Sequence, residues 1–259
     1  MGLDFGLPQQ PLLRKAPLAL TVCQLRFPLM LGFTDELVRP FQLALQDTYP
    51  DVEVEDLQQV QFSAAGVTMT GQAQRIYRFR THAKDWVVSV GPTSLALETT
   101  AYAGFPDFIE RWKQLVRIAV EALGVGHQER IGLRYVNELP APAGASRDDL
   151  LALVRPELVG IIGAHELTER VSKTWQEMRF TQEDGACTLQ HGYAQKSETE
   201  WVYVLDFDYH DERGDAIELE NQMRTLAQFN HQTYKLFEWV VDEALFASFE
   251  PEERSSNES

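Results

Sequence analysis

The order of sequence patterns along the chain constrains the fold most, because it occurs twice. In residues 18–123 a β-rich stretch is followed by a helical pattern, several short alternating stretches and a second helical pattern. Alternating apolar and polar residues have the period of a strand, whereas apolar residues three or four apart have that of a helix. From His127 onward the order returns with one strand merged or missing, and Leu25-Arg26-Phe27 has a counterpart in Leu133-Arg134-Tyr135, 108 residues later. These similarities predict an internal duplication.

The predicted fold is α+β, with two similar units in one sheet. We expect a tandem pseudo-repeat of β-α-β4-α units, in which a curved antiparallel sheet carries long helices on one face and leaves the other face open. The predicted organisation is an N-terminal arm at residues 1–16, a first repeat at 17–125, a second repeat at 126–248 and a disordered acidic tail at 249–259.

Helix boundaries are predicted from residues that cap or break helices. Thr34 is predicted to cap the first helix, and Pro40 marks either the start of that helix or a kink in it. Gly124 is predicted to end the second helix, because glycine adopts the left-handed conformation that closes many helices. Asp215 is predicted to cap the longest helix, which runs from Ala216 to about Phe246 with one apolar stripe.

The acidic charge is concentrated in the second half of the chain. The chain has 39 acidic and 23 basic residues, which gives a net charge of −16. Residues 1–125 contain 11 basic and 13 acidic residues, and residues 126–259 contain 12 and 26, so the balances are −2 and −14. A role in coating nucleic acid is disfavoured, because it requires a positive surface. The acidic second half indicates either a solvated face that maintains solubility or a protein partner with a basic surface.

The composition is that of a folded protein in a reducing compartment. No stretch approaches the ~18 apolar residues of a membrane span, and the N-terminal region lacks the pattern of a signal peptide. Cys23 and Cys187 lie in apolar or alternating stretches, so we expect two buried thiols rather than a disulfide. No cofactor is expected, because the sequence has no P-loop and no dinucleotide-binding glycine motif. The predicted location is the cytoplasm, without membrane contact.

Four arginines define a candidate binding face. In residues 130–137, alternation places Arg130 and Arg134 on the face opposite the apolar side chains, which are expected to meet the helices. Arg78 and Arg80 alternate with aromatic residues in the same way and are candidates for the same face. Guanidinium groups on an open sheet face suit a carboxylate or phosphate ligand. The alternative is that they form ion pairs with carboxylates of neighbouring strands.

Two carboxylates and one histidine complete the set of candidate residues. Asp206 and Asp208 share one face of a strand at a spacing of about 6.6 Å, and such pairs bind hard cations or act in acid–base catalysis. The alternative is a cross-strand network in which both carboxylates pair with Arg130 or Arg134. His231 lies in the long helix, off its apolar stripe, and is either a hydrogen-bonded structural residue or part of a site. The histidines show no spacing typical of a metal site, so no metal ligands are predicted.

The strand Arg130–Asn137 (RIGLRYVN) resembles the characteristic strand of a sporadically distributed prokaryotic family of unknown function and of about this length. Residues 17–27, residues 97–102, the late His231 and Phe237-Glu238 also fit that family. The resemblance covers nearly the whole chain and implies no established activity. The sporadic distribution of the family suggests a role in a bacterial conflict or defence system. The order of elements is also similar to that of TATA-binding-protein-like tandem folds, although the acidity departs from DNA binding.

The sequence leaves three functions open. The leading prediction is a non-enzymatic binding or adaptor module that contacts a protein partner, and a second copy of the chain is a further candidate partner. It depends on the acidity, the open sheet face and the absence of a nucleophile motif. The alternative is an RNA- or nucleotide-binding protein that uses the four arginines. The third is a metal-dependent hydrolase that uses Asp206 and Asp208.

Overall fold

A computed structural model of the chain describes residues 11–57, 60–63, 66–69, 74–141, 146–163, 171, 173–182, 185–197 and 200–252. The elements of the first half are, in chain order, β1 (Leu18–Arg26), α1 (Asp35–Leu45), β2 (Asp51–Leu57), β3 (Val60–Ser63), β4 (Gly66–Met69), β5 (Gln74–Arg80), β6 (Trp86–Gly91), β7 (Ser94–Thr99) and α2 (Phe105–Leu123). The elements of the second half are β8 (His127–Gln128), β9 (Arg130–Pro140), α3 (Arg147–Leu151), α4 (Pro156–Val159), a 3₁₀ turn (Gly160–Gly163), β10 (Gln176–Gln182), β11 (Gly185–Ser197), β12 (Glu200–Asp211), β13 (Asp215–Ala216), α5 (Leu219–Val240) and α6 (Glu243–Ser248).

Nine of the described strands form one antiparallel sheet. Its order is β10-β11-β12-β9-β1-β7-β6-β5-β2, so β9 and β1 are inner strands and β10 and β2 are the edges. Separate two-stranded pairs form between β3 and β4 and between β8 and β13. The predicted α+β class with a large antiparallel sheet is therefore confirmed, and the sheet is not closed into a barrel.

Apolar residues of alternating strand positions pack against the helices on one face of this sheet. Phe79 of β5 is fully buried and lies 5.7 Å, between ring centroids, from Phe41 of α1. Trp112 of α2 is also fully buried in this core cluster, which continues through Leu133 of β9 to Met223 of α5. Burial of each such side chain contributes about 2 to 3 kcal/mol, so this face dominates the stability of the fold.

Both cysteines lie on the helix-covered face of the sheet. Cys23 of β1 and Cys187 of β11 are fully buried and have free thiols, which confirms the prediction. Leu133 and Tyr209 lie between them in the same row of the sheet. Burial raises the pKa of the Cys23 thiol well above its usual range, and it raises the pKa of Cys187 to about 12.

The predicted start of α1 and the predicted end of α2 are confirmed. Thr34 caps α1, and its side chain accepts a hydrogen bond from the backbone N–H of Leu37. Pro40 lies inside α1, which begins at Asp35, so it does not mark the start of this helix. Gly124 closes α2 with a φ of 71°, a left-handed conformation in which glycine has no Cβ to clash.

The predicted start of the longest helix is wrong. Asp215 and Ala216 form the short strand β13, which pairs with His127 and Gln128 of β8. Helix α5 begins only at Leu219. The side chain of Asp215 does accept a hydrogen bond from the N–H of Ala216, but this contact belongs to the strand and not to a helix cap.

The predicted end of the longest helix is also wrong. Helix α5 ends at Val240, because Val241 has an extended backbone with a φ of −82° and a ψ of 145° and forms an isolated bridge with Val154. Asp242 then caps the separate helix α6, since its side chain accepts hydrogen bonds from two N–H groups of the first turn. The apolar stripe therefore spans two helices, α5 and α6, which are separated by the extended residue Val241.

The described parts of the predicted arm and tail contact each other. The N–H of Lys15 donates to the carbonyl of Phe249 at 3.0 Å, and the N–H of Glu252 donates to the carbonyl of Leu12 at 3.0 Å. Phe249 is buried in the second core cluster. Residues 1–10 and 253–259 of the predicted arm and tail lie outside the described residues.

Candidate functional site

Arg134 and Asp206 form a two-point ion pair on the face of the sheet opposite the helices. Asp206 lies opposite Val136 in the β12–β9 register, so the guanidinium of Arg134 reaches it diagonally across the strands. Arg134 Nε donates to Oδ1 at 2.8 Å, and Nη2 donates to Oδ2 at 2.5 Å. Hydrogen bonding to Asp206 raises the pKa of Arg134. This bidentate geometry is the strong form of an arginine–carboxylate contact.

Arg130 of β9 reaches Asp208 of β12 because Gly132, the next residue of β9 on the same face, has no side chain in its path. Arg130 Nη2 donates to Asp208 Oδ2 at 2.7 Å, and Nη1 lies 3.5 Å from the amide oxygen of Gln24. A Cβ on Gly132 would lie 2.6 Å from Arg130 Nη1, so the guanidinium occupies the space of the missing side chain. The glycine of the RIGLRYVN strand therefore has a packing role under the arginine.

Asp208 has a second ionisable neighbour on its own strand. The Nδ1 atom of His210 lies 3.9 Å from Asp208 Oδ2, and the side chain of His210 is buried. Burial raises the pKa of Asp208, while the charge of Arg130 acts in the opposite direction. On the other side, His210 Nε2 lies 3.4 Å from Nη2 of Arg179 on β10.

Arg78 and Arg80 form a separate set of ion pairs at the β2 edge. Arg78 Nε lies 3.2 Å from Glu55 Oε2, and Arg80 Nη2 lies 2.8 Å from Glu53 Oε2. Each arginine of β5 thus has a carboxylate partner on the neighbouring strand β2. Alternation with buried aromatic residues of β5 places both arginines on the face opposite the helices, as the sequence predicts.

The four arginines share one face of the sheet but do not lie together. Strands β1, β7 and β6 separate β9 from β5, and at about 4.8 Å between neighbouring strands the two sets are about 19 Å apart. Each of the four guanidinium groups has a carboxylate within ion-pair distance. The open face therefore contains two charge-balanced networks and no continuous basic strip among these residues.

His231 does not join the arginine and carboxylate residues. It lies in α5, which packs on the helix-covered face of the sheet. The preceding residue, Asn230, accepts a hydrogen bond from the hydroxyl of Tyr135 at 2.8 Å. Because Tyr135 and Arg134 point to opposite faces of β9, the sheet separates His231 from the paired arginines.

The two aspartates of β12 are both engaged by guanidinium groups. Asp206 binds Arg134 through both oxygens, and Asp208 binds Arg130 through Oδ2. Within the part of the chain that the structure describes, no group of three or more histidine, cysteine or acidic side chains is arranged to hold a metal ion. A cation at Asp206 would have to displace the two hydrogen bonds of Arg134.

A groove in the second half was not predicted from the sequence. It has a volume of about 760 Å³ and lies between α3, α4 and the junction of α5 and α6. The walls are held together by backbone contacts, since the N–H of Arg155 donates to Val240 at 2.9 Å and that of Asp242 donates to Leu153 at 3.0 Å. Its apolar lining residues are Leu151, Ala152, Val154, Pro156, Val159 and Val241.

The charged lining of this groove is mainly acidic. Asp148, Asp242 and Glu243 line it together with one basic residue, Arg155. The guanidinium of Arg155 donates to the carbonyl of Trp239 and lies 5.0 Å from the centre of the Trp239 ring. Trp239 itself is 45% exposed, so a large aromatic surface adjoins the groove.

Two comparisons with known proteins found no match for this chain. No protein-family model matches it, and no curated protein matches its sequence. The resemblance carried by the RIGLRYVN strand therefore stays a prediction. Among the described residues, no helix has the length and apolar character needed to cross a membrane.

Only weak sequence signals mark the groove. It depends on the break after α5, where the two β-branched residues Val240 and Val241 precede Asp242, a residue type that favours helix N-caps. This combination indicates a helix boundary, but the apolar spacing continues through it. The groove also needs residues 148–163 to lie against that boundary, and only the tertiary fold determines this contact.

Proposed function

We propose that the protein is a non-enzymatic binding module that holds a basic, amphipathic segment of a protein partner in the α3–α4 groove. The observation that carries the proposal is the lining of the groove, in which apolar side chains lie beside three carboxylates and one guanidinium. Leu151, Val154, Val159 and Val241 are themselves buried, so the groove offers a partner a narrow apolar floor between its carboxylates. Such a lining suits a short helix or an extended peptide that has both apolar and basic side chains.

Charge complementarity determines the expected chemistry of the partner. The lining has an excess of negative charge because it contains three carboxylates and one basic residue, Arg155, whose guanidinium contacts the carbonyl and ring of Trp239. The second half also carries most of the negative charge of the chain, 26 acidic against 12 basic residues. Such a field increases the association rate of a positive partner and disfavours an acidic one.

Trp239 is the expected anchor beside the groove. It is 45% exposed in spite of its size. Exposed tryptophan residues contribute strongly to many protein interfaces, because they bury a large area at small cost in side-chain entropy. The proposed complex therefore combines one aromatic contact with electrostatic contacts at the acidic rim.

Fluorescence polarisation with labelled peptides tests this function. The probes are a basic amphipathic peptide with Leu at helical spacing (i, i+3, i+4, i+7) and Lys at the other positions, the same peptide with Glu in place of Lys, and a scrambled basic peptide. We expect the basic amphipathic peptide to bind, and the variant Asp148→Lys/Glu243→Lys to raise its Kd about tenfold or more, which corresponds to about 1.4 kcal/mol. Trp239→Ala is expected to weaken binding by a similar factor.

A matched control separates the groove from the net charge of the protein. Glu110 and Glu121 are exposed residues of α2, so Glu110→Lys/Glu121→Lys makes the same change in charge far from the groove. This control is expected to keep the wild-type Kd within about twofold. Equal effects of the two double variants, or equal binding of the scrambled peptide, contradict the proposed site.

The two other functions predicted from the sequence have weaker support. An RNA- or nucleotide-binding face requires phosphates to displace the carboxylates that pair with Arg78, Arg80, Arg130 and Arg134. A hydrolase built on Asp206 and Asp208 requires a metal ion to compete with two guanidinium groups. Both alternatives therefore require a ligand to displace existing ion pairs of the sheet, whereas binding in the groove leaves these ion pairs intact.

We also propose that the fold is a tandem pseudo-repeat with a curved sheet. In each half the first strand lies at the centre, the next sheet strand lies at an edge, and the following strands return towards the centre. The central register supports the proposal. Cys23 pairs with Leu133, and Leu25 pairs with Ile131. Because the residues 108 positions after Cys23 and Leu25 are Ile131 and Leu133, the duplication maps each of these pairs onto the other. Comparison of the two halves within homologous sequences tests it, and unrelated patterns at this offset would contradict it.

A conflict or defence role belongs to the same proposal. It follows from the resemblance of Arg130–Asn137 to the sporadically distributed family, and a binding module of this kind acts through its partner. Co-purification of the protein with the products of neighbouring genes tests the role. We expect a stoichiometric complex that the Asp148→Lys/Glu243→Lys variant does not form.

A further inference from the structure

One edge of the sheet exposes apolar side chains next to two opposite charges. Strand β10 ends the sheet, and among the described residues only β11 pairs with it. Met178 and Phe180 are 37% and 41% exposed, although they lie on the face that is apolar in the rest of the sheet. Glu177 and Arg179 occupy the opposite face of the same strand. Exposed apolar edge strands are sites of pairing with another chain.

We propose that β10 pairs antiparallel with β10 of a second copy of the chain, so that two nine-stranded sheets join into one across a twofold axis. A twofold axis pairs the same strand from both copies and closes the assembly at two chains. Backbone hydrogen bonds supply the attraction in such strand addition, and the side chains of the strand select the register.

The charges select a register centred on Met178. In this register Glu177 of each copy lies opposite Arg179 of the other, which gives two symmetric pairs of opposite charge. Moving the centre by one residue in either direction places Glu177 opposite Glu177 or Arg179 opposite Arg179, so like charges face each other. The exchange replaces contacts within the single chain. Arg179 and its partner Glu212 are each 57% exposed at 3.5 Å, Arg179 also lies 3.4 Å from His210, and Glu177 accepts a hydrogen bond from the amide of Gln190.

The same register covers the exposed apolar side chains. Met178 of one copy lies opposite Met178 of the other, and Phe180 is the diagonal neighbour of that pair on the same face. The other edge cannot pair in this way. Strand β2 carries Asp51, Glu53, Glu55 and Asp56 without a basic residue, so self-pairing would place carboxylates opposite each other.

Sedimentation velocity of charge-reversed variants tests the dimer. We expect the wild-type chain to form a dimer within about 1 to 100 µM, a range in which weak dimers dissociate on dilution. Glu177→Arg and Arg179→Glu are each expected to raise the dimer Kd at least tenfold, because each places two like-charged pairs in the interface. An equimolar mixture of the two variants is expected to recover the dimer, since one copy then carries two arginines and the other two glutamates.

The recovery in the mixture also shows that both variants are folded. Arg117→Glu and Glu121→Arg, at exposed positions of α2, are matched controls that should leave the dimer unchanged. A monomeric wild type over the whole concentration range overturns the proposal. So does a dimer that both single variants retain, or a mixture that stays monomeric while each variant alone unfolds cooperatively with the stability of the wild type.

Discussion

Both halves of the sheet carry arginine–carboxylate pairs on the open face, and the pairs differ in burial. In the second half each pair has one buried member, since Asp206 is 5% and Arg130 is 13% exposed, whereas their partners Arg134 and Asp208 are 46% and 32% exposed. In the first half, every member of the Arg78–Glu55 and Arg80–Glu53 pairs is at least 29% exposed. The second-half pairs join inner strands, whereas the first-half pairs join β5 to the edge strand β2.

From this difference we expect the burial of an ion pair in the sheet to determine its contribution to the free energy of unfolding. An exposed pair contributes between zero and about 1 kcal/mol, because water screens it and both side chains lose entropy. A buried pair adds little over an apolar replacement, but loss of one partner leaves a desolvated charge and costs about 3 to 5 kcal/mol. The same residue types are thus expected to respond very differently in the two halves.

The largest expected effect is that of Arg134→Met. This change removes the guanidinium that satisfies both oxygens of Asp206, a carboxylate with almost no exposure to water. We expect the free energy of unfolding to fall by about 3 kcal/mol. Urea denaturation followed by circular dichroism measures it. The double variant Arg134→Met/Asp206→Asn should recover more than half of the loss, and a single-variant loss below about 1 kcal/mol would remove the contrast with the first half.

The next effect is that of Gly132→Ala. The new methyl group would lie 2.6 Å from Arg130 Nη1, so the guanidinium must move away from Asp208. We expect a loss of about 1 to 2 kcal/mol in the free energy of unfolding, the scale of a charged hydrogen bond. In an Arg130→Ala background the same change should cost less, which a double-mutant cycle measures. Gly126→Ala is the control, since a Cβ there meets no atom within 4 Å.

A smaller effect is expected for Arg80→Met in the first half. The partner of Arg80, Glu53, is 50% exposed and becomes solvated when the guanidinium is removed. The expected loss is below about 1 kcal/mol, and it should shrink further in high salt. The measurement is the urea midpoint at two salt concentrations. A loss as large as that of Arg134→Met would show that burial does not distinguish the two sets.

The smallest effect is a change in pH dependence at Asp208. Burial raises the pKa of this carboxyl in the folded state above its usual value near 3.8. A raised pKa means that the folded state favours the protonated form, so the stabilising contribution is present at low pH and is lost as pH rises through the folded pKa. The stability of the wild type relative to Asp208→Asn should therefore fall as pH rises from about 4 towards 7. Thermal melting of both proteins at each pH checks this expectation.

The sequence predicts the four arginines and the two aspartates of these pairs but not Glu53 and Glu55, and it leaves the role of the predicted residues open. The alternation in residues 130–137 determines which side chains of β9 share a face, and the same holds for Asp206 and Asp208 of β12. The cross-strand network is one of the two alternatives that the sequence leaves open for the second-half residues. Alternation does not decide which arginine meets which aspartate, because that depends on the register between strands about 70 residues apart.

The groove and the end of α5 show where local patterns fail. The apolar spacing continues from Phe237 through Val241, so the sequence alone favours one helix. The bridge between Val241 and Val154 competes with helix continuation, and this contact joins segments 87 residues apart. His231 is likewise a candidate from its sequence context, whereas the face on which α5 packs separates it from the arginines.

The two buried cysteines can report whether the two halves of the sheet unfold together. Cys23 and Cys187 lie in one row of the sheet but three strands apart, about 14 Å at the usual strand spacing, which is too far for a disulfide. Each thiol is accessible to an alkylating reagent only when its own part of the sheet opens. Equal alkylation rates at the two positions would mean that both halves open in a single event. Unequal rates would give each half a separate opening free energy.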